Sequence, residues 1–395
     1  MSRPIYMDYH ATTPVDPGVL EAMLPFFQEK FGNPASRNHP FGWDAESAVA
    51  TAREQVAKLI GAREKEITFT AGASESNNLA IKGVLEFQRS KGNHLVTCAT
   101  EHRSVIDTCR SLERKGLARV TVVPVDRHGC LDPRAVEAAL TPQTVLISIM
   151  LANNEIGTIH PLAEIGRIAK RRGVLFHSDA TQGVGKIPVG VDALVVDLLS
   201  LSAHKIYGPK GIGALYLRSK DPRVRIAPLT EGGGQERGLR SGTLNVPGIV
   251  GLGKACEIAA ALMAEESKRL ATLRDGLQQT LTRELDHVTL NGHPVERLPG
   301  NLNLSFSFVE AESLLMALNR EIALSTGSAC SSATLEPSYV LKALGKGDEI
   351  VHSSIRFGLG RFTTAAEVET VAKRVIAEVR RLRKLSPEYA MACAS

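Results

Sequence analysis

From about residue 44 onward the chain alternates segments of helical period with short apolar, β-branched runs. No other feature restricts the fold as much. Asp44 precedes Ala45, Ala48, Val49, Ala52, Val56 and Leu59 at helical spacing, and Gly61 ends the pattern, as a capping acid and a terminal glycine do. Strands are expected over 67–70, 95–98, 120–123, 145–150, 174–177, 194–199 and 214–217, with helices over 132–140 and 161–172. Repeated alternation of this kind specifies a mainly parallel sheet covered by helices, an α/β architecture. After Gly248 the texture changes to a long helical stretch through Leu285, strands over 302–308 and 354–357, and helices over 310–319 and 365–382. That is an α+β pattern. A chain of 395 residues exceeds the size one hydrophobic core serves. We therefore expect a large domain over 16–255 and a smaller one assembled from 1–15 and 256–395.

Composition excludes several classes. With 43% hydrophobic and 23% charged residues the chain is of ordinary globular type. The formal net charge of +5 is small, and the one basic cluster, Arg380, Arg381, Arg383 and Lys384, reads as the solvated face of a terminal helix. No direct nucleic-acid partner is implied. The N-terminus has no basic region followed by an apolar core, and no run of 18 apolar residues occurs. A cytoplasmic location without membrane association is the expectation. Six cysteines stand far apart with no Cys-Xaa-Xaa-Cys pair, which argues against a zinc site or a disulfide framework.

Four stretches carry chemistry. In SLSAHKIYGPKGIG, Lys205 stands at the mouth of a strand among small residues and glycines, where a Schiff-base amine can be held in place. An ordinary lysine in a glycine-rich turn is the alternative. In VLFHSDATQGVGK, an apolar strand delivers Asp179 at its C-terminal end, where open α/β sheets place ligands. It can keep a pyridine nitrogen protonated, or simply cap the next turn. A triad of the adjacent His177, Ser178 and Asp179 is disfavoured, because successive strand residues face opposite ways. In ITFTAGASESNNLAIKG, a strand, a glycine turn and a helix starting near Ser74 form a phosphate seat, or merely a capped helix. The Walker lysine is missing, so a small phosphorylated cofactor fits better than a nucleotide. Together these are the three handles of pyridoxal 5'-phosphate. In LSTGSACSSATLEPS, over 324–338, small polar residues surround Cys330. That composition predicts an exposed mobile loop and a reactive thiol, the other five cysteines being ordinary.

The chain resembles the NifS/IscS-like cysteine desulfurases of the class V aminotransferase fold. The motifs run in order through DYHATTP, FGNPASRNHPFG, TEHRSV, NNEIG, DATQ, SAHKIYGPKG, GGGQERGLRSGT, GSACSS, LEPSYVLKALG and HSSIRFGLGRFT. The resemblance implies fold type I of the pyridoxal-phosphate-dependent transferases, with a seven-stranded sheet in the large domain. It implies that Lys205 carries the cofactor linkage and that Asp179 pairs with the ring nitrogen. Gln182 and Asn154 lie near the ring oxygen, and His102 stacks over the ring and moves protons. Ala73, Ser74, Ser202 and His204 hold the phosphate, helped by the partner subunit's Thr243 in a homodimer. Arg356 fits a clamp for the substrate carboxylate, Asn154 standing beside it.

The implied reaction takes sulfur from L-cysteine onto Cys330 as a persulfide and releases L-alanine. The sulfur then goes to an acceptor for iron–sulfur cluster assembly or tRNA thiolation. No resident metal is expected, although Cys330 can transiently ligate a nascent iron–sulfur cluster held with a scaffold protein. The cysteine segment matches the long-loop branch of the family, with Thr326 in place of a serine, and Ser74 stands where many relatives have threonine. The chain ends soon after LSPEYAMACAS, short of the tail by which some relatives engage their scaffold. Selenocysteine lyase or another pyridoxal-phosphate reaction remains an alternative, as does a non-catalytic sulfur carrier or scaffold.

Overall fold

Strands covered on both faces need no alternation of apolar and polar residues, and the central runs of this chain lack it. The computed structural model describes residues 3–326 and 337–394. Within them the strands, in chain order, are β1 (Ile5–Tyr6), β2 (Ile67–Thr70), β3 (His94–Cys98), β4 (Arg119–Val123), β5 (Thr144–Ser148) and β6 (Leu175–Asp179). They continue with β7 (Leu198–Ser202), β8 (Gly213–Leu217), β9 (Val288–Asn291), β10 (Asn301–Phe306), β11 (Ile322–Ala323) and β12 (Ser354–Gly358). Seven form one sheet in the order β2-β8-β7-β6-β5-β3-β4. β3 to β7 are mutually parallel, β8 runs antiparallel to β7, and β2 antiparallel to β8. The carboxyl ends of β2, β3, β5, β6 and β7 therefore share one edge.

Alternate residues of each strand feed opposite cores. Val96, Ile147 and Leu199 join the cluster beneath the helix Pro40–Leu59. Leu95, Leu146 and Leu198 join the one beneath the helices Ala73–Phe87 and Arg103–Arg114. A third cluster is built on the antiparallel sheet β12-β10-β9, and the parallel pair β1-β11 adds Met7 and Ile322 to its edge. The helix Val246–Glu284 crosses between cores, burying Ile249, Leu252 and Cys256 in the first and Leu270, Leu277 and Leu281 in the third. Its length and hydropathy suffice to cross a membrane. Both of its ends are nevertheless packed against protein.

Three local expectations need correction. The helix expected from Asp44 starts at Pro40, whose fixed φ suits the first helical position, and His39 caps it by accepting from the Gly42 amide. The strand expected over 194–199 runs over 198–202. Leu194 and Val195 instead form a turn against Gly166, whose missing side chain lets their carbonyls approach. In the basic cluster Arg383 is buried, its guanidinium bonded to the Asp286 carboxylate and to the carbonyls of Asp286, His287 and Ser307. Only its neighbours form a solvated face.

Candidate active site

The shared edge of the sheet opens on a cavity of about 680 Å³. After β2 the chain turns through Gly72, at φ 149°, which a side chain rarely tolerates, and enters the helix Ala73–Phe87 at once. No side chain caps that helix. Its first turn, with Ala73 and Ser74, lines the cavity, where its amide donors could meet an anion.

Asp179 ends β6 at the cavity floor. Its Oδ1 accepts from the Thr181 amide at 3.0 Å, as in a turn cap, while its Oδ2 accepts from Asn77 Nδ2 at 2.7 Å. Asn77 also donates to Ser104 Oγ at 2.8 Å, and Ser104 Oγ lies 2.8 Å from His102 Nδ1. The Ser104 amide donates to the same nitrogen at 3.2 Å. With Nδ1 accepting, a neutral His102 carries its proton on Nε2. The adjacent His177 bridges Ser148 and Ser200 within the sheet and takes no part in a triad. Burial and nearby Asp179 push the Glu101 carboxyl well above the usual range. It accepts from the Met150 amide at 2.5 Å and braces the turn that carries His102.

Lys205 follows β7 in a single helical turn, Ala203–Lys205, and its Nζ donates to the carbonyls of His10 and Ala11, both at 2.6 Å. Gln182 Nε2 donates to the same His10 carbonyl at 3.0 Å. Gln182 Oε1 receives Lys186 Nζ at 2.9 Å and lies 3.1 Å from His10 Nδ1. Burial, then the cations of Lys205, Lys210 and Lys186, push His204 down to about 4. At neutral pH it is an uncharged partner for Thr12 Oγ1, 3.1 Å away.

The opposite wall comes from the third core. Arg356, on β12, is 2% exposed; it donates to Asp8 Oδ1 at 2.7 Å and to the Asn154 carbonyl at 2.9 Å. Its amide donates to the Ser325 carbonyl at 2.7 Å. On the other side of the cysteine segment, Ser338 Oγ donates to Glu155 Oε2 and Tyr339 Oη to the Glu101 carbonyl, each at 2.5 Å. Arg103 lies 5.2 Å from the centre of the Tyr339 ring. Burial raises the Glu155 carboxyl above its ordinary range. Cys330 itself lies outside the described residues.

Ala73, Ser74, His102, Asn154, Asp179, Gln182, Ser202, His204, Lys205 and Arg356, nominated from separate stretches of sequence, all line this one cavity. Thr243 does not; it is exposed on the segment after Gly232. That segment turns through positive φ at Glu236 and Arg237. It is held by Glu236, bonded to both guanidinium nitrogens of Arg53 at 2.6 and 2.8 Å and to the Phe69 amide at 2.8 Å. Sequence reasoning missed Asp8, His10, Asn77, Ser104, Glu101 and Glu155. It also missed Lys186, whose spacing of four from Gln182 was a usable signal.

A seven-stranded mixed sheet with its cavity at the strand ends, together with a smaller antiparallel sheet, defines a transferase of fold type I. The family model for class V aminotransferases matches residues 5–371. A cysteine desulfurase IscS of Anaeromyxobacter dehalogenans is 59% identical over 391 residues, covering 99% of this chain and 96% of that one. A cysteine desulfurase of Mus musculus is 55% identical over 389 residues, covering 98% and 84%. Among solved structures, a NifS-like protein superposes with a TM-score of 0.88 at 39% identity, covering 95% of this chain and 99% of that one. SspA in complex with cysteine gives 0.81 at 38%, covering 92% and 100%. The chain belongs to the NifS/IscS-like cysteine desulfurases and converts L-cysteine to L-alanine with transfer of the sulfur. Enzymes of this fold family use pyridoxal 5'-phosphate.

Proposed function

We propose that the cavity holds pyridoxal 5'-phosphate and that Cys330 receives the sulfur as a persulfide. The observation that carries this reading is the convergence of residues with separate cofactor roles on one pocket. The residues fit the group. An uncapped helix start offers amide donors to a phosphate, a carboxylate at the end of β6 suits a protonated ring nitrogen, and Thr181 Oγ1 is buried there without a partner. Ala73, Ser74, Ser202 and His204 would hold the phosphate, with the partner subunit's Thr243. Gln182 and Asn154 would face the ring oxygen, His102 would cover the ring, and Lys205 would anchor the cofactor. Bound there, the cofactor supplies an electron sink that acidifies the substrate Cα–H and weakens its Cβ–S bond.

Arg356 binds the substrate carboxylate through its guanidinium. The Lys205 amine takes the Cα proton and returns one later. His102 accepts the substrate or Cys330 thiol proton at its ring and gives it back as alanine forms. The Cys330 thiolate attacks the substrate sulfur; an S–S bond forms, the Cβ–S bond breaks, and the electron pair stays on the carbon fragment, which is protonated to alanine. The persulfide then passes to an acceptor for iron–sulfur assembly or tRNA thiolation, in the cytoplasm. With a scaffold, Cys330 also contacts the nascent cluster as cargo.

A homodimer is part of this reading. Its support is the exposed position of Thr243 and an exposed apolar group comprising Leu24, Phe27, Phe31, Phe41 and Trp43. The test pairs two variants. Lys205→Ala should abolish the visible absorbance of the holoenzyme and all turnover. Cys330→Ser should keep the absorbance and lose sulfide release; desulfuration at the full rate would disprove the persulfide step. Sedimentation of the native protein as a monomer would refute the role given to Thr243.

A further inference from the structure

A carboxamide can face a ligand with its N–H or with its carbonyl, and only its other contacts decide which. Gln182 lines the main cavity and contacts His10 and Lys186, which with Tyr9 and Tyr207 help to line a small void behind Lys205. Its Oε1 receives Lys186 Nζ at 2.9 Å, and an ammonium has donors only. A flipped amide would set its NH2 against that ammonium with no acceptor between them. The reverse orientation leaves Nε2 with one proton on the His10 carbonyl at 3.0 Å and a second to give. His10 Nδ1, 3.1 Å from the same Oε1, then donates as well. Its other ring nitrogen, Nε2, is buried, and the ring also lies against the Gly300 backbone. The His10 carbonyl that takes the Gln182 proton also takes that of Lys205 Nζ, at 2.6 Å.

From this chain of contacts we infer that Lys186 is a positioning residue, which locks the Gln182 amide so that an N–H faces the cavity. The inference rests on the reading of the cavity as a pyridoxal-phosphate site, where that N–H would meet the ring oxygen and favour its anionic form. Lys186 is well placed for this and little else. Its amine is desolvated, and with the cations of Lys205 and Arg356 this pushes it down to about 7, so the lock acts in the protonated form and slackens as pH rises through that value. The other titratable or charged groups around it are His10, Tyr9, Tyr207, Glu266 and Arg361. Arg361 is paired with Asp16 and Glu266, and His10 is held neutral by burial.

The test is a pH titration of the visible absorbance of the holoenzyme, without substrate. Lys186→Met removes the donor that fixes the amide, so the titration midpoint should rise by about one pH unit, a tenfold change in proton affinity. In a Gln182→Ala background the same change should move the midpoint by less than about a third of that, since the lock has nothing left to hold. Lys186→Arg keeps a donor-only cation and should stay near the parent. An unmoved midpoint in Lys186→Met overturns the inference. So does an equal shift in the Gln182→Ala background, which would mean direct action of the charge. Should the Met variant fail to retain the chromophore, a Lys186→Arg midpoint moved by a full unit overturns it and a parental one upholds it. A colourless parent protein would instead overturn the cofactor reading itself.

Discussion

Among the described contacts, the hydrogen bonds of Asp179, His102 and Lys205, along the edge of the large sheet, go to an amide, a hydroxyl and backbone carbonyls. Across the cavity, Arg356 is held by an opposite charge, the Asp8 carboxylate. The contrast follows from what each wall must do. Neutral dipoles orient Asp179 and His102 without quenching their charge or proton, so that wall can stay as built when a cofactor enters. A buried guanidinium would be costly alone, and Asp8 offsets that cost. Under the proposed role of Arg356, an incoming substrate carboxylate would share a cation that is already paired, which would moderate substrate affinity while keeping it selective for anions. One wall is preorganised and the other is exchangeable.

The sharpest way to break this comparison is Arg356→Ala. We expect KM for cysteine to rise about 100-fold, equivalent to about 2.7 kcal/mol, with the visible band of the cofactor intact; steady-state kinetics and an absorbance spectrum decide. A lost band would show the two walls to be one unit. Next in size, Asn77→Ala removes the donor to Asp179 and to Ser104, an interaction with a charged group worth about 1.5–3 kcal/mol. Cofactor affinity, measured by titrating apoprotein, should fall at least tenfold while KM changes little.

The smallest effect, taken per pH unit, is on stability. Burial pushes His177, beneath the sheet edge, down to about 4. Its unfolded value is higher, so the unfolded chain binds the extra proton. The contribution is complete above about 6.5 and is lost as pH falls through about 4, at about 1.4 kcal/mol per unit. His177→Gln should keep contacts to Ser148 and Ser200 and flatten the acid limb of urea stability by about that slope. Glu155, on the opposite wall, has the reverse sign. Its raised carboxyl stabilises the fold below the ordinary carboxylate range, and that contribution is lost as pH rises through the folded value. Falling pH thus weakens the His177 contribution and rising pH the Glu155 contribution; urea midpoints across pH in the parent and His177→Gln measure the former.

Much of this was legible before any coordinates. Period and punctuation located β10, β12 and the strands of the large sheet other than β7 to within two residues, because a strand covered on both faces writes its burial directly into a run of apolar residues; the short β1, β9 and β11 were not anticipated. The strand over 194–199 failed because Leu194 and Val195 are equally apolar in a turn packed on Gly166. Arg383 read as solvent-facing because its acceptors, at Asp286, His287 and Ser307, are 76 to 97 residues away. Asn77 and Ser104 lay inside stretches already singled out. Nothing local distinguishes an Asn that touches Asp179 from one that caps a turn.

By itself the sequence determined most strands of the large sheet, the edge at which their ends deliver Lys205, Asp179 and His102, and the chemistry those side chains can perform. Periodicity and residue type are local properties, and a parallel sheet converts them into a shared edge. Only the tertiary structure decided the proton position on His102, the pairing of Arg356 with Asp8, and the bracing of Gln182 by Lys186. Each depends on angles and distances of a few tenths of an ångström, and the pairing of Arg356 with Asp8 joins residues 348 positions apart. Spacing along a chain can suggest that two side chains meet, as at Gln182 and Lys186, but packing decides the geometry of the contact.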